Sequence, residues 1–81
     1  MKIPRDVSGA QLAIALRVYG YRVTRQTGSH IRLTTTERGE HHVTVPAHAV
    51  LRVGTLAGIL SDVAEHFATS REAVANRLFR D

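Results

Sequence analysis

The stretch Tyr21–Pro46 constrains this chain more than any other feature. Apolar and polar residues alternate through it in three short runs, and glycines punctuate the gaps. Tyr21-Arg22-Val23-Thr24-Arg25 has the period of a half-buried strand. Gly28-Ser29 then marks a hairpin turn. Ile31 and Leu33 alternate with His30, Arg32 and Thr34. Gly39 marks a second turn, after which Val43 and Val45 alternate with His42 and Thr44. Residues two apart share a face, so the runs predict a three-stranded antiparallel meander. Its buried face is expected to carry Val23, Ile31, Leu33, Val43 and Val45. His30, Arg32, Thr34, His42 and Thr44 are expected on the other side. Pro46, with no N–H for the ladder, ends the third strand.

Helical periodicity flanks this stretch. A first helix is expected from Ser8 to Val18, with the Ser8 hydroxyl capping the free N–H groups of the first turn. Leu12, Ala15, Leu16 and Tyr19 fall on one face, and Gly20 supplies the stop. A second helix is expected from Val53 to Phe67, with Leu56, Ile59, Leu60, Val63 and Phe67 at helical spacing. Thr69-Ser70-Arg71-Glu72 reads as a capping box, Thr69 capping and Glu72 reaching back. It opens a last helix, about Ser70 to Phe79, that packs through Val74, Leu78 and Phe79. Helices covering one face of an antiparallel sheet make an α+β two-layer domain of order α-β-β-β-α-α. The α-β-β-β-α part resembles the order of the double-stranded-RNA-binding domain.

At 81 residues the chain is expected to form one domain, with residues 1–67 as its core and 68–81 as a C-terminal helical extension. It has no cysteine, which excludes disulfides, Cys-ligated zinc and a thiol nucleophile. No apolar run approaches a membrane span. Met1–Asp6 lacks the apolar stretch of a signal peptide, so a cytoplasmic location is expected. Eleven Lys and Arg against seven Asp and Glu give a net charge of +4, and all the cations but Lys2 are arginines. The arginine fork suits bidentate phosphate contacts, and nucleic acid leads the anionic partners such a balance admits.

Of the five histidines, one stands in a distinctive setting. Arg25-Gln26-Thr27-Gly28-Ser29-His30 puts His30 at the start of a strand, just after a glycine turn. Glycine lets a phosphate backbone approach, Ser29 adds a hydroxyl, and Arg25 and Arg32 supply cations. Histidine titrates near neutrality, so it can take a proton from a ribose 2′-OH or give one to the leaving 5′-oxygen. The residues alone leave two readings of His30, an acid/base group or a solvent-exposed turn histidine.

The remaining histidines point less clearly to chemistry. His41 and His42 are adjacent on a strand and face opposite ways, so no metal site is expected of them. His48 follows the Pro46 turn and is a minor candidate for a second acid/base. His66 sits on the polar side of a helix in a structural or solvated role. Ser29-His30 does not make a serine hydrolase, since neither an orienting carboxylate nor a Gly-x-Ser-x-Gly elbow accompanies it. Asp62–Leu78 also has the outline of a helix-turn-helix. A non-catalytic RNA- or DNA-binding module is therefore the alternative function, and an ordinary helical hairpin the plainer reading of that segment.

Five segments together resemble the HicA family of toxins. They are Ile3-Pro4-Arg5-Asp6, Gly20-Tyr21, Arg25-Gln26-Thr27-Gly28-Ser29-His30, Val43-Thr44-Val45-Pro46-Ala47-His48 and Gly54-Thr55-Leu56-Ala57-Gly58-Ile59-Leu60. The resemblance runs to about Phe67 and implies a double-stranded-RNA-binding-like fold. It implies a metal-independent mRNA interferase without cofactors, held inactive by a HicB-type antitoxin. It makes His30 the catalytic residue, with Gly28, Ser29, Arg25 and Arg32 meeting the RNA. That RNA is expected over the start of the first helix, the first hairpin and the Pro46–Thr55 loop. The chain departs from the family in having arginine where members carry many lysines. It is also more apolar at Ala49–Arg52, which implies weaker RNA affinity or a shifted site preference.

Overall fold

A computed structural model describes residues 4–80. Lys2 and Ile3 lie outside these residues. Helix α1 spans Gly9–Ala15 and runs on as a 3₁₀ helix, Leu16–Tyr19. Strands β1 (Arg22–Thr27), β2 (His30–Thr35) and β3 (His41–Pro46) form one antiparallel sheet in the order β1-β2-β3. Helices α2 (Val53–His66) and α3 (Arg71–Leu78) follow. This is the expected α+β architecture in the expected order.

The caps explain where α1 begins and ends. The Ser8 hydroxyl accepts from the Gln11 N–H at 3.0 Å, and the Gln11 side chain accepts from the Ser8 N–H at 2.9 Å. Two otherwise orphaned donors are thereby satisfied. At the far end the chain tightens to 3₁₀ and stops at Gly20 with φ +83°.

One face of the sheet is covered. Ile31, Leu33, Val43 and Val45 are buried with Leu12, Leu16, Leu56, Leu60 and Val63. Helix α1 packs on β2 and β3, and α2 packs on β3. Helix α3 closes the end of this core with Val74 and Ala75, both fully buried. Arg77 of α3 donates to the Val18 carbonyl at 3.2 Å and lies 4.5 Å over the Tyr19 ring. It thus caps a 3₁₀ carbonyl and makes a cation–π contact at once.

Three expectations are corrected. Val23 is 52% exposed rather than buried, because of the two edge strands β1 is the one the helices leave largely uncovered, α1 lying over β2 and β3 and α2 over β3. Tyr21 and Thr35 take its place in the core. Ala15 is only half-buried, whereas Ala13 is buried, since the helix tightens after Ala15. Helix α3 is capped by Ser70, whose hydroxyl accepts from the Ala73 N–H at 3.0 Å, and not by Thr69. The Thr69 N–H instead donates to the Ala64 carbonyl at 2.9 Å and closes the end of α2. The box is thus shifted by one residue, which puts Ala73 where a box needs Glu or Gln.

Close backbone approach then fixes the corner that matters most. A Cβ on Gly9 would collide with the Pro46 carbonyl oxygen, so glycine is what lets α1 start here. The Gly9 N–H donates to the His48 carbonyl at 2.9 Å, and the Ala47 N–H donates to the Ser29 carbonyl at 2.6 Å. The start of α1, the β1–β2 turn and the chain after β3 are thereby joined.

Candidate nucleic-acid interface

The β1–β2 connection is the two-residue turn Gly28-Ser29, closed by the pair Thr27 and His30. Gly28 has φ +56°, a conformation that disfavours side chains, and a Cβ there would meet nothing within 4 Å. Gly28 therefore faces open space, while Ser29 is tied to Ala47 through its carbonyl. His30 leads β2, pairs with Pro46 on its other side and is exposed. Its ring has no hydrogen bond or ion pair to any described residue. Ser29 is exposed and tied in only through its backbone.

Arg25 and Arg32 are directly cross-strand from each other, two pairs inward from Thr27 and His30. Both are exposed, and neither has a carboxylate partner among the described residues. Like charges placed opposite on a sheet cost about 0.2–1 kcal/mol. An anion placed between them would reverse that cost. His30, Arg25 and Arg32, proposed together from the sequence, thus share the open face of the sheet beside the Gly28 turn. His48 is exposed and contributes its carbonyl to Gly9.

The histidine pair divides as strand geometry requires. His41 turns toward the helices, where its Nε2 lies 3.3 Å from the Asp62 carboxylate and its Nδ1 lies 2.7 Å from the Tyr21 hydroxyl. A carboxylate can only accept, so Nε2 carries the proton and the Tyr21 hydroxyl donates to Nδ1. Burial, and secondly the charge of Asp62, push the Tyr21 phenol up from its ordinary range. His66 stacks on His41 at 4.4 Å and donates from Nε2 to the Glu37 carbonyl at 2.9 Å. These two histidines tie α2 to the sheet. His42 faces the opposite way, onto the open face.

Sequence reasoning missed two things on that open face. The first is a bulge in β1, where the pairing shifts register between Val23 and Arg25. The extra residue brings Thr24 onto the same side as Arg25, and the Thr24 hydroxyl meets that of Thr34 at 2.9 Å. The second is a polar chain running on through Thr34 to His42 and Glu40. The Thr34–His42 pairing follows from the position of the Gly39 turn, but nothing local signals the bulge.

Fold and surface together define a small basic α+β domain with one packed and one open, cationic sheet face. The family profile described as HicA toxin of bacterial toxin-antitoxin matches residues 9–64. The chain belongs to the HicA toxin family, and it is a toxin of the toxin–antitoxin class. Helix α3 lies beyond the matched segment. Neither a curated protein nor a solved structure matches the chain significantly. No helix among the described residues is long and apolar enough to cross a membrane.

Proposed function

We propose that this toxin is an endoribonuclease that cleaves mRNA, with His30 as its general acid/base. The observation that carries the reading is the setting of His30 in a HicA-family chain. It is an imidazole beside an open glycine turn, flanked by two arginines, and none of the three side chains has an ionic partner among the described residues. In this reading Ser29 and the Gly28 backbone meet the scissile phosphate. Arg25 and Arg32 stabilise the charge that builds up as the phosphate is attacked, a task best done by fixed cations aimed at that charge. His30 exchanges a proton with the 2′-hydroxyl or with the leaving 5′-oxygen.

The family supports a protein antitoxin of the HicB type as partner, and the exposed hairpin is the surface it would have to cover. The DNA-binding alternative finds less support. Arg77 is held on Val18 and Tyr19, and Val74 and Ala75 face the core, so α3 packs like half of a helical hairpin.

The test is cleavage of single-stranded RNA by purified protein in the presence of a chelator. Cleavage by the parent protein and none by a folded His30→Ala variant is expected. Full activity in that variant would overturn the assignment. RNA binding without cleavage, indifferent to His30→Ala, would favour the non-catalytic module.

A further inference from the structure

The open sheet face holds a built polar network some way from His30. Thr24, Arg25, Arg32, Thr34, Glu40 and His42 line an open groove of about 390 Å³. His42 Nε2 is 3.1 Å from the Glu40 carboxylate, and its Nδ1 is 2.7 Å from the Thr34 hydroxyl. Glu40 can only accept, so Nε2 donates to it. In the neutral ring Nδ1 then accepts from Thr34, whose hydroxyl oxygen lies 2.9 Å from that of Thr24, itself a donor to the Arg32 carbonyl at 3.4 Å. The His42 ring is therefore held at both nitrogens although it lies at the surface.

Two consequences follow. With both nitrogens occupied, what the ring offers a ligand is its face. Fixing exposed side chains costs conformational entropy without gain in burial, which is the arrangement of a pre-formed recognition site rather than of a core contact. The charges of the groove favour an anion. Arg25 and Arg32 line it, Arg22 lies next to it on β1, and Glu40 is its one carboxylate. Glu37 lies farther along, at the β2–β3 turn.

Distance then separates the His42 end of this groove from the chemistry at His30. Thr34, which holds the His42 ring, is four residues along β2 from His30, on the order of 13 Å. An acid and a base acting on one phosphodiester must both lie within about 3 Å of the reacting atoms. His42 is therefore not the partner of His30 at the scissile bond.

We propose that this groove is a nucleotide subsite for single-stranded RNA, flanking the scissile bond. The base stacks on the His42 ring and its phosphate lies against Arg22, while Arg25 and Arg32 form the end of the groove that faces the scissile phosphate. Aromatic faces and arginines are how unpaired RNA bases and their phosphates are held. Glu40 and Thr34 act as positioning residues that set the ring. The proposal rests on the ribonuclease reading and extends it, since it runs the RNA from the Gly28 hairpin across the open sheet toward the β2–β3 end.

The test uses the full chain carrying His30→Ala, so that RNA stays intact, and reads anisotropy of a short labelled single-stranded RNA. Adding His42→Ala is expected to weaken binding about 5-fold or more. His42→Phe, which keeps a ring face but no nitrogens, should restore most of it. Glu40→Gln should bind as well as the parent or better, because it keeps the acceptor and removes the opposing charge. In otherwise wild-type protein, His42→Ala should raise KM for a long RNA and leave kcat in place.

Unchanged affinity in His42→Ala would overturn the subsite. So would a His42→Phe variant that folds and binds as poorly as His42→Ala. Loss of binding to an acidic protein partner with RNA affinity intact would make the face a protein interface and overturn it too. Failure of the underlying reading is seen separately, as wild-type protein that does not cleave RNA at all.

Discussion

The Tyr21 hydroxyl donates to Nδ1 of His41 across 2.7 Å, and His41 in turn meets Asp62 of α2. This bond fixes the first residue after the α1 stop to the third strand and, through it, to α2. It also makes the fold sensitive to alkali. The Tyr21 phenol is raised by burial and by Asp62 above its unfolded value near 10. A raised acid contributes stability that is whole below the unfolded value and is lost as pH climbs toward the folded one. Urea unfolding at stepped pH should therefore show the wild type losing stability above about pH 10. Tyr21→Phe should be less stable at neutral pH by about 1 kcal/mol, and the gap should close as pH rises. A constant gap would show that the phenol does not contribute in this way.

The His30 side chain has no hydrogen bond or ion pair to any described residue. His30→Ala should change stability by no more than about 0.5 kcal/mol. Its RNA cleavage should fall by about 100-fold or more. Thermal melting and a cleavage time course on the same preparation check both halves. A large loss of stability would mean that the ring packs in a way this structure does not show.

Glycines in the two main helices should respond oppositely to alanine. Gly9→Ala drives a methyl into the Pro46 carbonyl, so it should cost about 1–3 kcal/mol despite the better helix propensity of alanine. It should also loosen the His48 and Ser29 contacts beside the candidate site, and thus lower cleavage. Gly58→Ala in α2 meets nothing within 4 Å and should stabilise by about 0.5–1 kcal/mol. Denaturant midpoints of the two variants decide it, and equal effects of the same sign would contradict the packing.

Valines on the edge strand and in α3 form a second contrasting pair. Val74 is fully buried, and Val74→Ala should cost about 2 kcal/mol. Val23 is half exposed on the edge strand, and Val23→Ala should cost well under about 1 kcal/mol. If Val74→Ala proved neutral, α3 would not be the lid of the core that its burial makes it.

The cap of α3 gives a one-residue test of where the helix starts. Ser70→Ala should cost about 1 kcal/mol, because the Ala73 N–H loses its acceptor. Thr69→Ala should be close to neutral, since only the Thr69 backbone is engaged at the end of α2. The reverse order in thermal midpoints would restore the box first expected.

Much of this was written in the sequence. Alternation at Ile31, Leu33, Val43 and Val45 set both strands and their buried face, because residues two apart must share a side. The same rule placed His30, Arg32 and His42 on the open face and sent His41 the other way. Gly20, Gly28 and Gly39 marked stops and turns where a positive φ is required. Tertiary structure decided the rest. Val23 has the right period but no helix above it, since which strand is covered depends on how α1 and α2 pack and not on its neighbours in the chain. The β1 bulge that brings Thr24 beside Arg25 comes from pairing with β2, a register matter that no local propensity encodes. Tyr21, His41, Asp62 and His66 meet because α2 folds back over the sheet. The His42 groove likewise exists only once three strands lie side by side. The open face of His30 was thus legible in the chain, while its groove-bearing neighbourhood was made by long-range packing.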